Sequence, residues 1–329
     1  MKILIAATSR NGERFQGRGV EGDGCIYVCD YNKENQSIQQ LSVKYLPKPL
    51  FIGRDKRLGA RGIIKASDNH IFCANHDALF LMDDDLSIKK GISLPSMGDI
   101  HDIVCHPTQP HIYVTCSSSD SIQIFDYSLN HIGGWRACDQ APLAKYMNQK
   151  HISKRNVPIR FHNRKNFSLH DYRKSFNGDV FHLNSVFWWE NSMIVSFSTL
   201  AKLFDTTHNQ FIDLPFNIEN KNNKGGRIHG GIVCKNNLVI LNTHHNVIER
   251  YNLHSKKCIT KLEIHRNNSE LLNTNGFLRG MLYLNDNEFL VGQIGPTIFY
   301  CNFSTGEVRE LINFEKSNQW SIYSIANMQ

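Results

Sequence analysis

The sequence predicts an all-β chain folded as a six-bladed β-propeller, closed by three N-terminal strands and one C-terminal strand. Three observations carry that prediction. An apolar residue followed by a basic or aromatic polar one opens a β-rich stretch six times, at Ala60-Arg61, Ile100-His101, Phe181-His182, Ile228-His229, Leu278-Arg279 and Ile322-Tyr323. In the first five units a third apolar run closes on Asp83, Asp126, Asp205, Asn252 or Asn302, which lie 22, 25, 23, 23 and 23 residues beyond the basic residue. The sixth unit has only its first strand, residues 321–326, and the N-terminus supplies three unclaimed strands at 2–8, 25–30 and 38–46. Four short strands per repeat of about 40–50 residues is the pattern of a propeller blade.

The elements follow in order. Of the N-terminal strands, the run Ile26-Tyr27-Val28-Cys29 closes on Asp30, like the third strands of the repeats. Joining these three to the last strand leaves no sheet edge open and ties both termini down. Between the first two lies Gly17-Arg18-Gly19-Val20-Glu21-Gly22, formally a GxGxxG. That motif cradles a dinucleotide only when a strand precedes it and a helix follows; here a loop precedes it and a β-rich run follows, so a nucleotide site is not expected. After Pro47 and Pro49 each unit adds a second strand (70–74, 111–116, 193–197, 238–242, 289–292) and a fourth (86–90, 129–133, 211–214, 258–262, 307–311). The units start 40, 81, 47, 50 and 44 residues apart, and the 81 places an insertion, 137–177, between blades two and three of a single domain spanning 1–329. A seventh blade inside that insertion is the competing count, but the segment has little alternating pattern.

Composition narrows the class. With 329 residues and 41% hydrophobic residues the chain can bury a large core. The apolar run at 3–7 is too short for a secretory signal and nothing approaches the roughly 18 apolar residues of a membrane span, so a soluble, cytoplasmic protein is expected. Nine cysteines without a CxxC are expected to stay thiols. The net charge of +7 is local: residues 136–174 carry ten Lys/Arg against Asp139 and Asp171, and the remainder is close to neutral.

Repeats of this shape resemble the six-bladed propellers of the strictosidine-synthase-like, gluconolactonase-like and NHL-repeat groups. The His-Leu-Asn at 182–184, His-Gly-Gly at 229–231 and Arg-Gly at 279–280 resemble bacterial propellers with no assigned activity. The gluconolactonase-like resemblance implies a divalent cation held by Glu, Asn and Asp. This sequence has Arg61, His101, His182, His229 and Arg279 on its inner strands instead, so that ligand set is not carried over.

The chemistry is expected where those residues meet. Each blade's first strand lines the channel and should be apolar, as Ile63, Ile103, Val186, Ile232 and Met281 are. Five cations or imidazoles at one fixed position therefore need water, counter-charges or a ligand. One reading is a solvated channel mouth neutralised by Asp99, Asp102 and Asp179. The other is a site for a small anionic substrate or a peptide bearing carboxylates. His101, His182 and His229 occupy adjacent blades and are candidate ligands for a divalent transition metal, zinc, iron or copper. Arg61 and Arg279 suit bidentate capture of a carboxylate or phosphate. Asn184 and His76 are further candidate substrate-binding groups, and Tyr323, His244 and His245 candidate proton donors or acceptors. The basic insertion, with Tyr146, Phe161, Phe167 and Tyr172, is expected as a lid or as a landing surface for an acidic peptide or nucleic acid. No P-loop, HExxH or GxSxG is present. A metal-dependent lyase, isomerase, hydrolase or oxygenase thus stands beside a binding propeller that performs no reaction.

Overall fold

The computed structural model describes residues 1–9, 24–46, 59–66, 70–94, 96–149, 180–198, 200–215, 228–243, 245–264, 278–314 and 320–328. These form six four-stranded antiparallel sheets in a ring, a six-bladed β-propeller. Blade six is woven from both ends of the chain: β1 (Lys2–Ser9), β2 (Gly24–Asn32) and β3 (Ser37–Tyr45) follow the innermost β24 (Trp320–Asn327). Blade one is β4 (Gly62–Lys65), β5 (Ile71–Ala74), β6 (Leu79–Met82) and β7 (Ile88–Ile92). Blade two is β8 (Ile100–Cys105), β9 (His111–Cys116), β10 (Ser121–Asp126) and β11 (His131–Arg136). Blade three is β12 (Leu183–Trp189), β13 (Ser192–Phe197), β14 (Lys202–Asp205) and β15 (Gln210–Ile212). Blade four is β16 (Ile228–Cys234), β17 (Asn237–Asn242), β18 (Val247–Asn252) and β19 (Lys257–Glu263). Blade five is β20 (Leu278–Tyr283), β21 (Glu288–Gln293), β22 (Thr297–Asn302) and β23 (Glu307–Asn313).

Burial explains the strand sequences. Second strands such as β5 and β13 are buried at every position and read as unbroken apolar or small-residue runs. Outer strands such as β3 and β19 are largely exposed and carry Gln, Lys, Thr and Glu, which blunts the open edge of each blade. The core is divided: an apolar cluster fills each junction between neighbouring blades. The residue closing each third strand caps the turn to the fourth. Asp126 Oδ1 accepts from the Ser128 and Asn130 amides, Asp205 Oδ1 from Thr207 and His208, and Asn302 Oδ1 from Ser304 and Thr305. In blade six this role falls to Asn32, whose Oδ1 accepts from Glu34 and Asn35. Asp30, where the sequence reading ended that strand, instead pairs with the N-terminal amine at 3.0 Å. The ladder simply continues two residues further than the apolar run.

The insertion leaves from β11 and rejoins at β12. Its described beginning is a 3-10 turn (Ala137–Asp139) and α1 (Ala141–Gln149). Leu143 and Tyr146 pack there on the junction of blades two and three, with Tyr146 against Phe181 and Phe211. Among the described residues no helix is long and apolar enough to cross a membrane.

Candidate functional site

The six inner strands bring Arg61, His101, His182, His229, Arg279 and Tyr323 together, five of them through irregular backbone and β4 through a regular ladder. Pairing skips a residue at Ile100/Ile103 on β8, Leu183/Ser185 on β12, His229/Gly231 on β16 and Leu278/Met281 on β20. On β24 the skip falls at Tyr323. Such bulges re-aim a side chain that regular pleating would pack between blades. In the His-Gly-Gly and Arg-Gly motifs the glycine makes this possible: Gly230 has φ +65° and Gly280 φ +70°, where an L side chain is strained. In blade three His182 itself adopts φ +53°. It is held there by Asp120 of blade two, whose Oδ2 accepts from the Val180 and Phe181 amides at 2.8 and 2.9 Å and whose Oδ1 accepts from Leu183 at 3.1 Å.

His101 sits at the centre of the cluster. Its ring centroid is 4.8 Å from that of His182, 6.0 Å from His229 and 6.3 Å from Tyr323. One nitrogen from each of His101, His182 and His229 lies within 4.8 Å of the other two. Across the channel, Arg279 Nη1 donates to His101 Nδ1 at 3.1 Å, with Asn184 Nδ2 at 3.5 Å from the same nitrogen. His101 Nε2 is 3.3 Å from Asp99 Oδ2. Two donors on Nδ1 and a carboxylate at Nε2 define the tautomer with the proton on Nε2. His229 Nδ1 contacts Thr243 Oγ1 at 3.1 Å. The Tyr323 ring lies beneath both guanidinium groups, 4.1 Å from that of Arg279 and 5.4 Å from that of Arg61.

One carboxylate, Asp99, answers the cations inside the ring. Arg61 Nη1 pairs with Asp99 and donates to the Ile100 carbonyl. Burial works to raise the Asp99 carboxyl, but His101, Arg61 and His76 around it hold it well below the usual carboxylate range. Burial keeps His101 neutral, well below the usual imidazole range, against the pull of Asp99, and Arg279 and His182 act in the same direction. Asp102, one residue on, has no such cationic neighbour. Burial lifts it to about 7, opposed only by the amides of Val186 and Ile103.

A cavity of about 370 Å³ runs along the inner strands toward their C-terminal ends, lined at its start by His101, His229, Arg279 and Tyr323 of the ring but not by Arg61 or the half-buried His182. His101, Asp102, Asn184, His229, Arg279 and Tyr323 line the end at the strand starts. Ile63, Ile232, Met281 and Ile325 follow along the wall, and Lys65 and Asn327 lie at the far rim.

Other expected site residues fall elsewhere. Arg61 is 1% exposed, committed to Asp99, and does not line the cavity. His76 lies behind Asp99, 3.8 Å from its Oδ1, while its carbonyl accepts from Ile100. His245 sits in the turn joining β17 to β18, off the cavity. His244, Asp179 and the aromatics Phe161, Phe167 and Tyr172 lie outside the described residues, as do Gly17 to Gly22. The insertion leaves and rejoins at the ring end, whereas the cavity extends the other way. From the sequence, Asp99 and Asp102 are expected only as counter-charges. Asp120, 62 residues before His182, gives no local signal at all.

No protein-family model and no curated protein sequence matches the chain. Solved structures do. The fold is similar to a protein of unknown function from Bacteroides caccae, at 10% identity, TM-score 0.60, covering 99% of this chain and 97% of that one. It is also similar to a chain of a nidogen/laminin complex (9% identity, TM-score 0.56, 99% and 98% covered). A third is the WD40 β-propeller domain of Doa1 (9%, 0.51, 97% and 88%). These likenesses are of fold alone.

Proposed function

We propose that the end of the channel at the strand starts is a metal-dependent catalytic site for a small anionic substrate, with His101, His182 and His229 as the ligands of a divalent transition metal. The observation that carries this is the convergence of the three imidazoles. Nitrogens no more than 4.8 Å apart share a point within about 2.8 Å of each, so inward shifts of about 0.7 Å would bring them to the 2.0–2.1 Å of a zinc–imidazole bond. The donor set fits as well: Asp99 Oδ2 lies 3.3 Å from His101 Nε2, the side from which a carboxylate typically orients a ligating imidazole, and Nδ1 is the nitrogen left to ligate. An ion held there would act as a Lewis acid or lower the pKa of a bound water. Arg279, at that end, would take the carboxylate or phosphate, with Asn184 and Tyr323 beside it.

Elemental analysis of protein purified without chelators tests this. The expected result is one metal ion per chain for wild type and loss of it in His182→Ala, with far-UV circular dichroism unchanged. Wild type that carries no stoichiometric metal and takes up none on titration with Zn²⁺, Fe²⁺ or Cu²⁺ would overturn it. One observation favours a second reading, a binding propeller without metal: the His101 Nδ1 lone pair that would ligate is already occupied by Arg279. On that reading anion affinity persists in chelator-treated protein and falls in Arg279→Gln.

A further inference from the structure

The wall of the cavity specifies what the anion is attached to. Along four of the inner strands that line it, β8, β16, β20 and β24, polarity changes in the same order. On these strands the first lining positions are polar (His101 and Asp102, His229, Arg279, Tyr323) and apolar ones follow, of which Val104, Ile232 and Met281 are only half-buried; β12 adds Asn184 and Ser185 to the polar end, β4 adds the half-buried Ile64, and the rim is polar again (Lys65, Asn327). Residue order on a strand is axial order in the channel. The cavity is therefore a polar cap above an apolar sleeve. Lys65, the rim cation, is tied to the Met328 carbonyl and stands clear of the sleeve.

From this we infer that the site takes an amphipathic anion, a carboxylate or phosphate on an unbranched aliphatic chain. The head sits against Arg279 and the chain lies along Ile64, Val104, Ile232 and Met281, the half-buried apolar residues of the lining. The inference deepens the proposed function and rests on its placement of an anion at Arg279, though not on the metal. A sugar acid or other wholly polar molecule would set hydroxyl groups against the sleeve, and each buried hydroxyl without a partner costs about 1–3 kcal/mol. A hydrocarbon without a charged head would lay apolar surface against the Arg279 guanidinium without answering its charge. At about 30 Å³ for each water-sized group, the 370 Å³ cavity holds about twelve non-hydrogen atoms. A carboxylate with eight to ten carbons fills that space.

The test is isothermal titration of wild type with acetate, butanoate, hexanoate, octanoate, decanoate and dodecanoate below their micellar concentrations, with octanol as the uncharged control. Each is run on protein loaded with Zn²⁺ and on protein treated with EDTA. Affinity is expected to rise up to about fourfold per methylene to octanoate or decanoate and then level off as the chain passes the rim. Octanol should bind far more weakly than octanoate. Met281→Gln should flatten the series, and Arg279→Gln should weaken every acid in it. The wild-type series decides even if a variant fails to fold. Anions that bind with no dependence on chain length, or none that bind, overturn the inference. In the first of those cases loss of acetate in Arg279→Gln leaves the anion site of the proposed function standing. A chain-length series unaffected by EDTA, in protein that never takes up metal, upholds the inference while the metal reading fails.

Discussion

Replacing Asp120 by Asn should loosen blade three's ring residue without touching it. The Asp120 carboxylate accepts three amide hydrogens, from Val180, Phe181 and Leu183, and so holds His182 at φ +53°. Hydrogen bonds to a charged acceptor contribute about 1.5–3 kcal/mol each. Asn keeps one oxygen but turns an NH₂ toward the remaining donors, so the expected cost is about 2–4 kcal/mol, read as a lower urea midpoint at unchanged slope. Loss of stability alone would not show positioning, so metal affinity is the second readout. With the partner that orients a ligand loosened, Zn²⁺ affinity in a chelator competition should fall about 10–100-fold. The control is Phe204→Ala, which removes a buried ring from the same junction of blades at a cost of about 3–5 kcal/mol. It should leave metal affinity alone. Equal loss of metal affinity in both variants would refute the positioning argument, and an unchanged midpoint in Asp120→Asn would refute the clamp itself.

Two further predictions concern the backbone and the thiols. Gly280→Ala places a Cβ 3.0 Å from the Ser324 amide nitrogen at φ +70°, so it should lower stability by about 1–3 kcal/mol and disturb the Arg279–Tyr323 stack; a denaturation midpoint equal to wild type would sink the bulge argument. Burial pushes Cys29 and Cys116 up to about 12 and Cys73 and Cys301 further in the same direction, so iodoacetamide at pH 8 should leave them unlabelled in native protein by peptide mass spectrometry. Cys138 and Cys234, less buried and lifted to about 11, should label roughly tenfold faster for each unit of pH between 8 and 10. Stoichiometric native labelling of Cys73 would contradict this.

What the sequence disclosed and what it withheld divide along a physical line. Blade count, strand order and closure follow from local periodicity, because each blade is built from hairpins whose apolar positions recur in chain order. The ring was legible for the same reason: six equivalent strand starts occupy equivalent places around an axis. Its internal pairing was not. That Arg61 is neutralised by Asp99 while Arg279 reaches His101 from the opposite side depends on side-chain length and on bulges. Nothing in Ala60-Arg61-Gly62 distinguishes it from Leu278-Arg279-Gly280. The direction of the cavity was hidden too, since a strand's sequence gives its polarity order and not which end of the channel its neighbours close.

The contact between Arg279 and His101 decides how metal and anion relate. His101 Nδ1 accepts from Arg279 at 3.1 Å, and a metal on that nitrogen needs the same lone pair. If His101 ligates through Nδ1, as proposed, metal binding displaces the guanidinium, a second cation beside the ion. An anion that engages Arg279 withdraws it from His101 and supplies negative charge, so anion and metal should bind with positive coupling, and the coupling must be reciprocal. The consequence runs against intuition for a residue inside a proposed active site. Arg279→Gln should bind Zn²⁺ more tightly than wild type by about 5–50-fold, the span of a coupling of about 1–2.3 kcal/mol, and its Zn²⁺ affinity should no longer respond to octanoate. Chelator-competition titrations with and without the acid measure both. If Arg279→Gln instead binds Zn²⁺ more weakly, the arginine supports the metal site, and His101 does not ligate through Nδ1.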